Sequence, residues 1–354
     1  MKTRLAILVL LAGLGLRVWW RAETESPLGG PAVEVVIPQG ASTQAIAEQL
    51  EAAGVLKRSW TFALLVRLRG DGARMKAGRY RFFGPYSVLD VEQKLALGDV
   101  ERREVTFTEG RNIFEMAEIA ARAGLKADLF LAAAKDPGLI QGLDPHAKSL
   151  EGYLFPETYE IKEPASESAL VAEMVKHART VFDELGLGNV ERTVNGQTFS
   201  LRQIVTLASI VELETAAPEE RPRIAGVFLN RLRIGMRLQT DPTVIYAMKL
   251  AGQYQGNIRK SDLSGDSPYN TYRFAGLPPG PIGSPGRSAL RAVLNPEPTE
   301  DLYFVSRNDG SHVFSKSLRD HERAVDEFQR RRRGPGPAAS TPQTSPSPAP
   351  SAVK

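Results

Sequence analysis

Leu201 to Leu232 reads LRQIVTLASIVELETAAPEERPRIAGVFLNRL. Apolar residues at 204, 207, 208 and 211 recur at helical spacing, so the stretch opens as an amphipathic helix. Two glutamates, Glu212 and Glu214, sit near its end. At about 100° per residue they stand about 200° apart around a helix, so both cannot face one pocket. Glu214 continues the row of Leu207 and Val211, whereas Glu212 continues that of Val205 and Ser209. The first row is the more apolar. A glutamate extending an apolar face is partly desolvated, which raises its pKa and suits it to act as a general acid near neutrality. Glu214 is therefore the first candidate acid and Glu212 the second. The plain alternative is that both are ordinary helix glutamates paired with arginine.

Asn230 to Tyr246 follows as NRLRIGMRLQTDPTVIY. Gly235 stops one helix, and Asp241-Pro242 starts another, with Asp241 expected as N-cap and Pro242 at the first helical position. Arg237 to Thr240 form the loop between them. Asn230, Gln239 and Thr240 are the polar groups here that could contact a hydroxyl-rich ligand. Further on stand Ser267 to Tyr272 (SPYNTY) and Gly276 to Gly286 (GLPPGPIGSPG). Tyr269 and Tyr272 beside Asn270 suit a saccharide cleft, where rings stack on sugar faces and amides read hydroxyls. The competing reading is a rigid Pro/Gly loop with packed tyrosines. Tyr303–Ser306 and His312–Ser315 flank Asn308-Asp309-Gly310, a hairpin signal.

Upstream lies a faint internal repeat with a 70-residue offset. Val35 to Gly54 reads VVIPQGASTQAIAEQLEAAG, and Val105 to Gly124 reads VTFTEGRNIFEMAEIAARAG. Each predicts a short strand, a glycine turn, a polar helix start and an amphipathic helix stopping at glycine. The first copy continues into a helical stretch, Trp60 to Leu68, and a strand, Gly78 to Phe82. Strand, helix, helix, strand is the layout of a LysM-like carbohydrate-binding module and equally of a generic α/β packing unit. Leu150 to Tyr159 places Tyr153, Phe155 and Tyr159 around Pro156, as a sugar platform or as core at a domain junction.

The chain of 354 residues is long enough for two domains, and 42% hydrophobic with 24% charged residues is ordinary for a globular body. It carries a formal charge of +4, with a basic run at Arg330 to Arg333 that reads as a solvated helix end or an anion-binding patch. There is no zinc-ligand spacing and no aromatic-interleaved basic stripe, so no nucleic-acid partner is expected. No cysteine occurs, which excludes disulfides, thiol chemistry and a lipidated N-terminal cysteine. Four histidines without an HExxH spacing give no metal site. Lys2 and Arg4 precede an apolar run from Leu5 to Leu16, followed by Arg17, Trp19, Trp20 and Arg21. The run is shorter than the ~20 residues that span a bilayer, but Arg17 can snorkel and the tryptophans suit the interface. A retained anchor (1–21) with a cytoplasmic N-terminus is favoured over a cleaved signal peptide, because no small-x-small site directly follows the run. Residues 22–31 read as a linker, and 334–354, rich in Pro, Ala and Ser, as a disordered tail.

Taken together, ASIVELET (208–215), GVFLNRLRIGMRLQTDPTVIYAM (226–248), SPYNTYRFAGLPPGPIGSPG (267–286) and YFVSRNDGSHVF (303–314) resemble the MltG (YceG-like) endolytic transglycosylases. The resemblance runs from about Val105 to about Glu322. It implies an α+β protein with a membrane anchor, a small LysM-like βααβ module (32–100) and a larger catalytic domain (101–333) with a lysozyme-like helical acid site. It aligns Glu214-Thr215 with the Glu-Ser pair of lysozyme-like transglycosylases. It implies cleavage of MurNAc-β-1,4-GlcNAc bonds in peptidoglycan glycan strands, giving 1,6-anhydro-MurNAc ends, without metal or organic cofactor. The expected setting is the outer side of the inner membrane, beside peptidoglycan synthases, limiting strand length. Three rival readings stay open. A hydrolytic muramidase would need a second carboxylate, with Asp241 or Glu219 nearest. A glycan-binding scaffold would need no acid, and a tethered assembly factor would need no cleft.

Overall fold

In the computed structural model, which describes residues 2–25, 32–83, 85–101, 103–161, 166–188 and 191–330, the chain opens with α1 (Lys2–Glu25). This helix runs on through the start of the stretch read as linker. Among the described residues, no helix is long and apolar enough to cross a membrane. The rest of the linker (26–31), the basic run from Arg331 and the tail 334–354 lie outside the described residues. The chain divides into two compact units, Met1–Gly186 and Leu187–Lys354.

The first unit is built on the repeat. Strand β1 (Val33–Ile37) leads through Gly40, at a left-handed φ of +78°, to Ser42, whose side chain caps α2 (Thr43–Ala52) by accepting from the Ala45 N–H. Helix α3 (Ser59–Arg69) follows, and β2 (Gly78–Phe82) returns antiparallel to β1 with Val35 opposite Tyr80. Ile46, Ala47 and Leu50 of α2 and Phe62, Leu65 and Val66 of α3 bury one face each against this pair, and α4 (Val88–Leu97) closes the core with Val91 and Leu95. Apolar burial at helical spacing drives this packing, at about 25 cal/mol per Å².

The second copy repeats the layout completely, which the sequence does not disclose. Strand β3 (Arg103–Thr106), the Asn112-capped α5 (Ile113–Arg122) and α6 (Ala127–Lys135) are followed, after an insertion from 136 to 157, by β4 (Thr158–Ile161), antiparallel to β3. The insertion hides the return strand from any fixed-period comparison. Helix α7 (Glu167–Glu184) completes the unit. Tyr153, Phe155 and Tyr159 are buried, with the Tyr153 hydroxyl donating to Asp144 at 2.8 Å, so this aromatic group is core and not a sugar platform.

The second unit begins with a hairpin, β5 (Arg192–Val194) and β6 (Gln197–Phe199), whose Asn195-Gly196 turn has both residues at positive φ. The helices α8 (Leu201–Glu214), α9 (Arg221–Arg233), α10 (Asp241–Leu250) and α11 (Arg287–Leu294) follow, then the hairpin β7 (Tyr303–Ser306) and β8 (His312–Ser315), then α12 (Leu318–Val325). The Asn308-Asp309-Gly310 turn forms as expected, with Asn308 and Gly310 left-handed. Every residue from Ile204 to Glu212 is buried, because α11 packs on α8 and α9. The protein is thus mixed α+β, and its described strands pair two by two, all antiparallel.

Close approach explains Gly226 in the middle of α9. A Cβ there would stand 2.7 Å from the Glu297 carbonyl oxygen and 2.9 Å from the Thr299 methyl. Gly226→Ala forces that strand of backbone off α9 and should destabilise by about 1–3 kcal/mol, read as a lower urea midpoint at unchanged slope.

Candidate active site

The capping box of Ser200 and Gln203 starts α8, and its far end carries the two glutamates in opposite directions, as the helical phase requires. Glu212 is 8% exposed. Its Oε1 accepts from Arg221 in a short contact, and its Oε2 accepts from the Gly286 N–H at 2.9 Å. The carboxylate therefore joins the end of α8 to the starts of α9 and α11. A buried, ion-paired carboxylate of this kind is part of the scaffold.

Glu214 meets different company. Thr240 Oγ1 donates to its Oε2 at 2.8 Å. The residue is half-buried. Burial pushes its pKa up to about 7; the Thr240 hydrogen bond opposes the rise, the nearby Asp241 carboxylate adds to it, and His312 and Arg231 oppose it. Such a group holds a transferable proton near neutral pH.

Thr240, and not Asp241, occupies the N-cap position of α10, and it makes no capping hydrogen bond because its hydroxyl is spent on Glu214. Asp241 is the first helical residue, where a negative charge suits the helix dipole, and its Oδ1 accepts from the Tyr272 hydroxyl at 2.6 Å. A hydroxyl cluster holds the loop in place. The Thr240 N–H donates to Thr271 Oγ1 at 3.1 Å, Thr243 Oγ1 donates to the Thr240 carbonyl at 2.7 Å, and Thr243 and Thr271 hydroxyls stand 2.8 Å apart. Gln239 sits between these contacts, exposed and left-handed at φ +48°. A glutamine held there stores strain of about 1 kcal/mol, sustained by the surrounding bonds.

The other expected contact residues divide. Thr240 bonds Glu214 directly, Tyr272 stands one residue on at Asp241, and Gln239 adjoins Thr240 in the chain with its N–H on the Thr271 carbonyl. Tyr269 packs on Tyr246 with ring centroids 5.0 Å apart. Asn270 is buried, donating to the Leu263 and Gly265 carbonyls at 3.0 and 2.8 Å, and its Oδ1 accepts from the Tyr272 N–H. Asn230 is buried as well and donates to the Thr299 and Asp301 carbonyls. Asn270 thus shapes the loop that carries Tyr269 and Tyr272, while Asn230 ties α9 to the segment 299–301.

The sequence reading passes over several neighbours of the site. Arg231 is buried, donating to the Leu302 and Leu238 carbonyls at 2.6 Å each, with its guanidinium over the Tyr303 ring. His312 is held by Glu220: its Nδ1 lies 2.6 Å from Oε2, and its N–H donates to Oε1 at 2.9 Å. The pair spans 92 residues of sequence, so no spacing could reveal it. Among the described residues no cluster of His, Asp or Glu could hold a metal ion.

The mixed α+β frame thus presents a carboxyl of raised pKa at a helix end, beside a loop of hydroxyls and a tyrosine, an arrangement able to deliver a proton. The chain matches the YceG-like family over residues 35–327 and belongs to it. It is 33% identical over 313 residues, 84% of each chain, to a Bacillus subtilis (strain 168) protein named endolytic murein transglycosylase. A Streptococcus pneumoniae (D39) protein of the same name is 32% identical over 83% of this chain, which spans 58% of that longer protein. The crystal structure of a YceG-like protein from Listeria monocytogenes covers 83% of this chain and 99% of its own, at 32% identity and a TM-score of 0.53.

The two glutamates separate by substitution. Glu212→Gln removes a buried carboxylate that Arg221 and the Gly286 N–H both bond and should cost about 3–5 kcal/mol, seen as a lowered thermal midpoint. Glu214→Gln breaks no ion pair and should leave the midpoint near or above that of the wild type.

Proposed function

We propose that this protein is an endolytic peptidoglycan transglycosylase, with Glu214 as its acid and then its base. The observation that carries the role of Glu214 is its half-buried carboxyl, oriented by Thr240 and raised in pKa to about 7, in a chain whose relatives bear that enzyme's name. Protonated Glu214 gives its proton to the oxygen of the MurNAc-β-1,4-GlcNAc bond as the bond to the anomeric carbon breaks. The resulting carboxylate takes the proton of the MurNAc 6-hydroxyl as that oxygen bonds to the anomeric carbon. The acid is regenerated and a 1,6-anhydro-MurNAc end is left, with no water consumed. The hydroxyl is already tethered to the reacting sugar, and this proximity replaces a bound, activated water. Thr240 donates to Oε2, which leaves Oε1 to carry the proton. A glycosidase working through water needs two carboxylates flanking the bond. Asp241 is the second carboxylate nearest to that requirement, but it is engaged by Tyr272.

The remaining assignments form one picture. Gln239, Thr240, Tyr269 and Tyr272 line the glycan path, with Asn230 and Asn270 holding its walls. Residues 32–100 act as a LysM-like module ahead of the catalytic domain (101–333). Lys2 and Arg4 keep the N-terminus cytoplasmic, α1 tethers the body to the outer face of the inner membrane, and nascent strands are met as synthases extrude them.

Digestion of uncrosslinked glycan strands by the purified protein, with mass spectrometry of the ends, tests the reaction. Anhydro-MurNAc ends from the wild type and none from Glu214→Gln are expected. Reducing ends would make the protein a hydrolase, and no cleavage would make it a binding protein.

The pH dependence has a definite sign. The acid must be protonated in the free enzyme, so kcat/KM falls as pH rises through about 7. The carboxyl pKa is raised on folding, so its ionisation costs stability above the ordinary carboxylate range. Glu214→Gln should therefore stabilise the protein more at pH 8 than at pH 5, by on the order of 1–3 kcal/mol.

A further inference from the structure

Helix α3 buries Phe62, Leu65 and Val66 and leaves a second apolar line in the open. Trp60, Leu64 and Leu68 are 44%, 38% and 70% exposed and stand four residues apart, on the side of the helix away from the core. Three large apolar side chains in one helical stripe are an interaction surface rather than scattered exposure. Lys57 and Arg67 flank the stripe, both exposed, whereas Arg69 turns to Asp71 and Glu92.

Two contacts orient it. The Trp60 ring stacks on Trp19 of α1, with centroids 5.9 Å apart and planes 14° apart. The Arg58 guanidinium reaches Glu23 of α1 at 3.7 Å. Trp19 stands just past the Leu5–Leu16 apolar run, so the Trp60 end of the stripe is held beside the end of that run.

We propose that the α3 face of Trp60, Leu64 and Leu68 rests in the interfacial layer of an anionic lipid bilayer, with Lys57 and Arg67 on lipid phosphates. The proposal rests on reading α1 as the membrane tether. Tryptophans at the headgroup level, leucines below them and basic side chains around them are the pattern of a helix lying at a membrane surface. Trp19 and Trp60 then form one aromatic pair at the interface. The module is held against the membrane instead of swinging from it.

The chain has no cysteine, so single labels can be placed cleanly. The full chain is reconstituted in nanodiscs of equal parts phosphatidylcholine and phosphatidylglycerol. An environment-sensitive fluorophore is attached in turn to Leu64→Cys, Leu68→Cys, Glu48→Cys on the exposed side of α2, and Leu10→Cys in the apolar run. Blue-shifted emission at 64 and 68, with quenching by lipid-borne nitroxide and protection from iodide, is expected, while 48 stays iodide-accessible. Exchanging the anionic lipid for phosphatidylcholine should reduce the shift at 68. Labels at 64 and 68 that behave like 48 overturn the proposal. With 10 in lipid, that result leaves the tether standing; with 10 also open to iodide, the tether falls too. Protection at 64 and 68 that requires added glycan strands, and not lipid, likewise overturns the proposal and makes the stripe a glycan surface.

Discussion

A buried carboxylate holds the catalytic end of this protein together. Glu212 binds Arg221 and the Gly286 N–H at once, so one side chain pins the end of α8, the start of α9 and the start of α11. Burying a charge is costly unless it is paired and hydrogen-bonded, and here both oxygens are satisfied. The α-helix then dictates the rest. A residue two positions on must point to nearly the other side, so fixing Glu212 inward fixes Glu214 toward Thr240. The chemistry of the second glutamate is a consequence of the anchoring of the first.

The loop that meets Glu214 is held by short side chains. Thr240, Thr243 and Thr271 exchange hydrogen bonds among themselves and with backbone, and Tyr272 reaches Asp241. Hydroxyls both donate and accept, so three of them close a network that no single charged residue could close. The network keeps Gln239 in a left-handed conformation and leaves one Thr240 donor for Glu214. Helix capping is given up for this, since α10 has no side-chain cap. Local stability has been exchanged for the orientation of the acid, as expected where a site departs from ordinary helix rules.

Much of this was legible from sequence because it is local. Helix phase separated Glu212 from Glu214, the glycine stops bounded α2 and α5, and Asn-Asp-Gly marked a hairpin. What escaped was non-local. Nothing in the spacing says that Asn270 would spend its amide on Leu263 and Gly265, or that Asn230 would bind Thr299 and Asp301, because a free asparagine and a committed one look alike. The Glu220–His312 pair and the second βααβ return strand were hidden for the same reason. Asp241 was misplaced by one helical position because Asp-Pro is a strong cap signal, and only the tertiary demand of Glu214 on Thr240 overrides it.

The same logic bears on the proposal that Glu214 serves two proton transfers. A carboxyl with a pKa far below neutrality would rarely hold the proton it must give, and one far above would not release it or take another back. Burial drives Glu214 upward and Asp241 pushes in the same direction, while Thr240, Arg231 and His312 restrain it. Arg231 is fixed by two carbonyls and His312 by Glu220, so these neighbours are held in place. The balance near 7 is therefore a property of the preorganised surroundings, and it suits the paired acid and base roles proposed for Glu214.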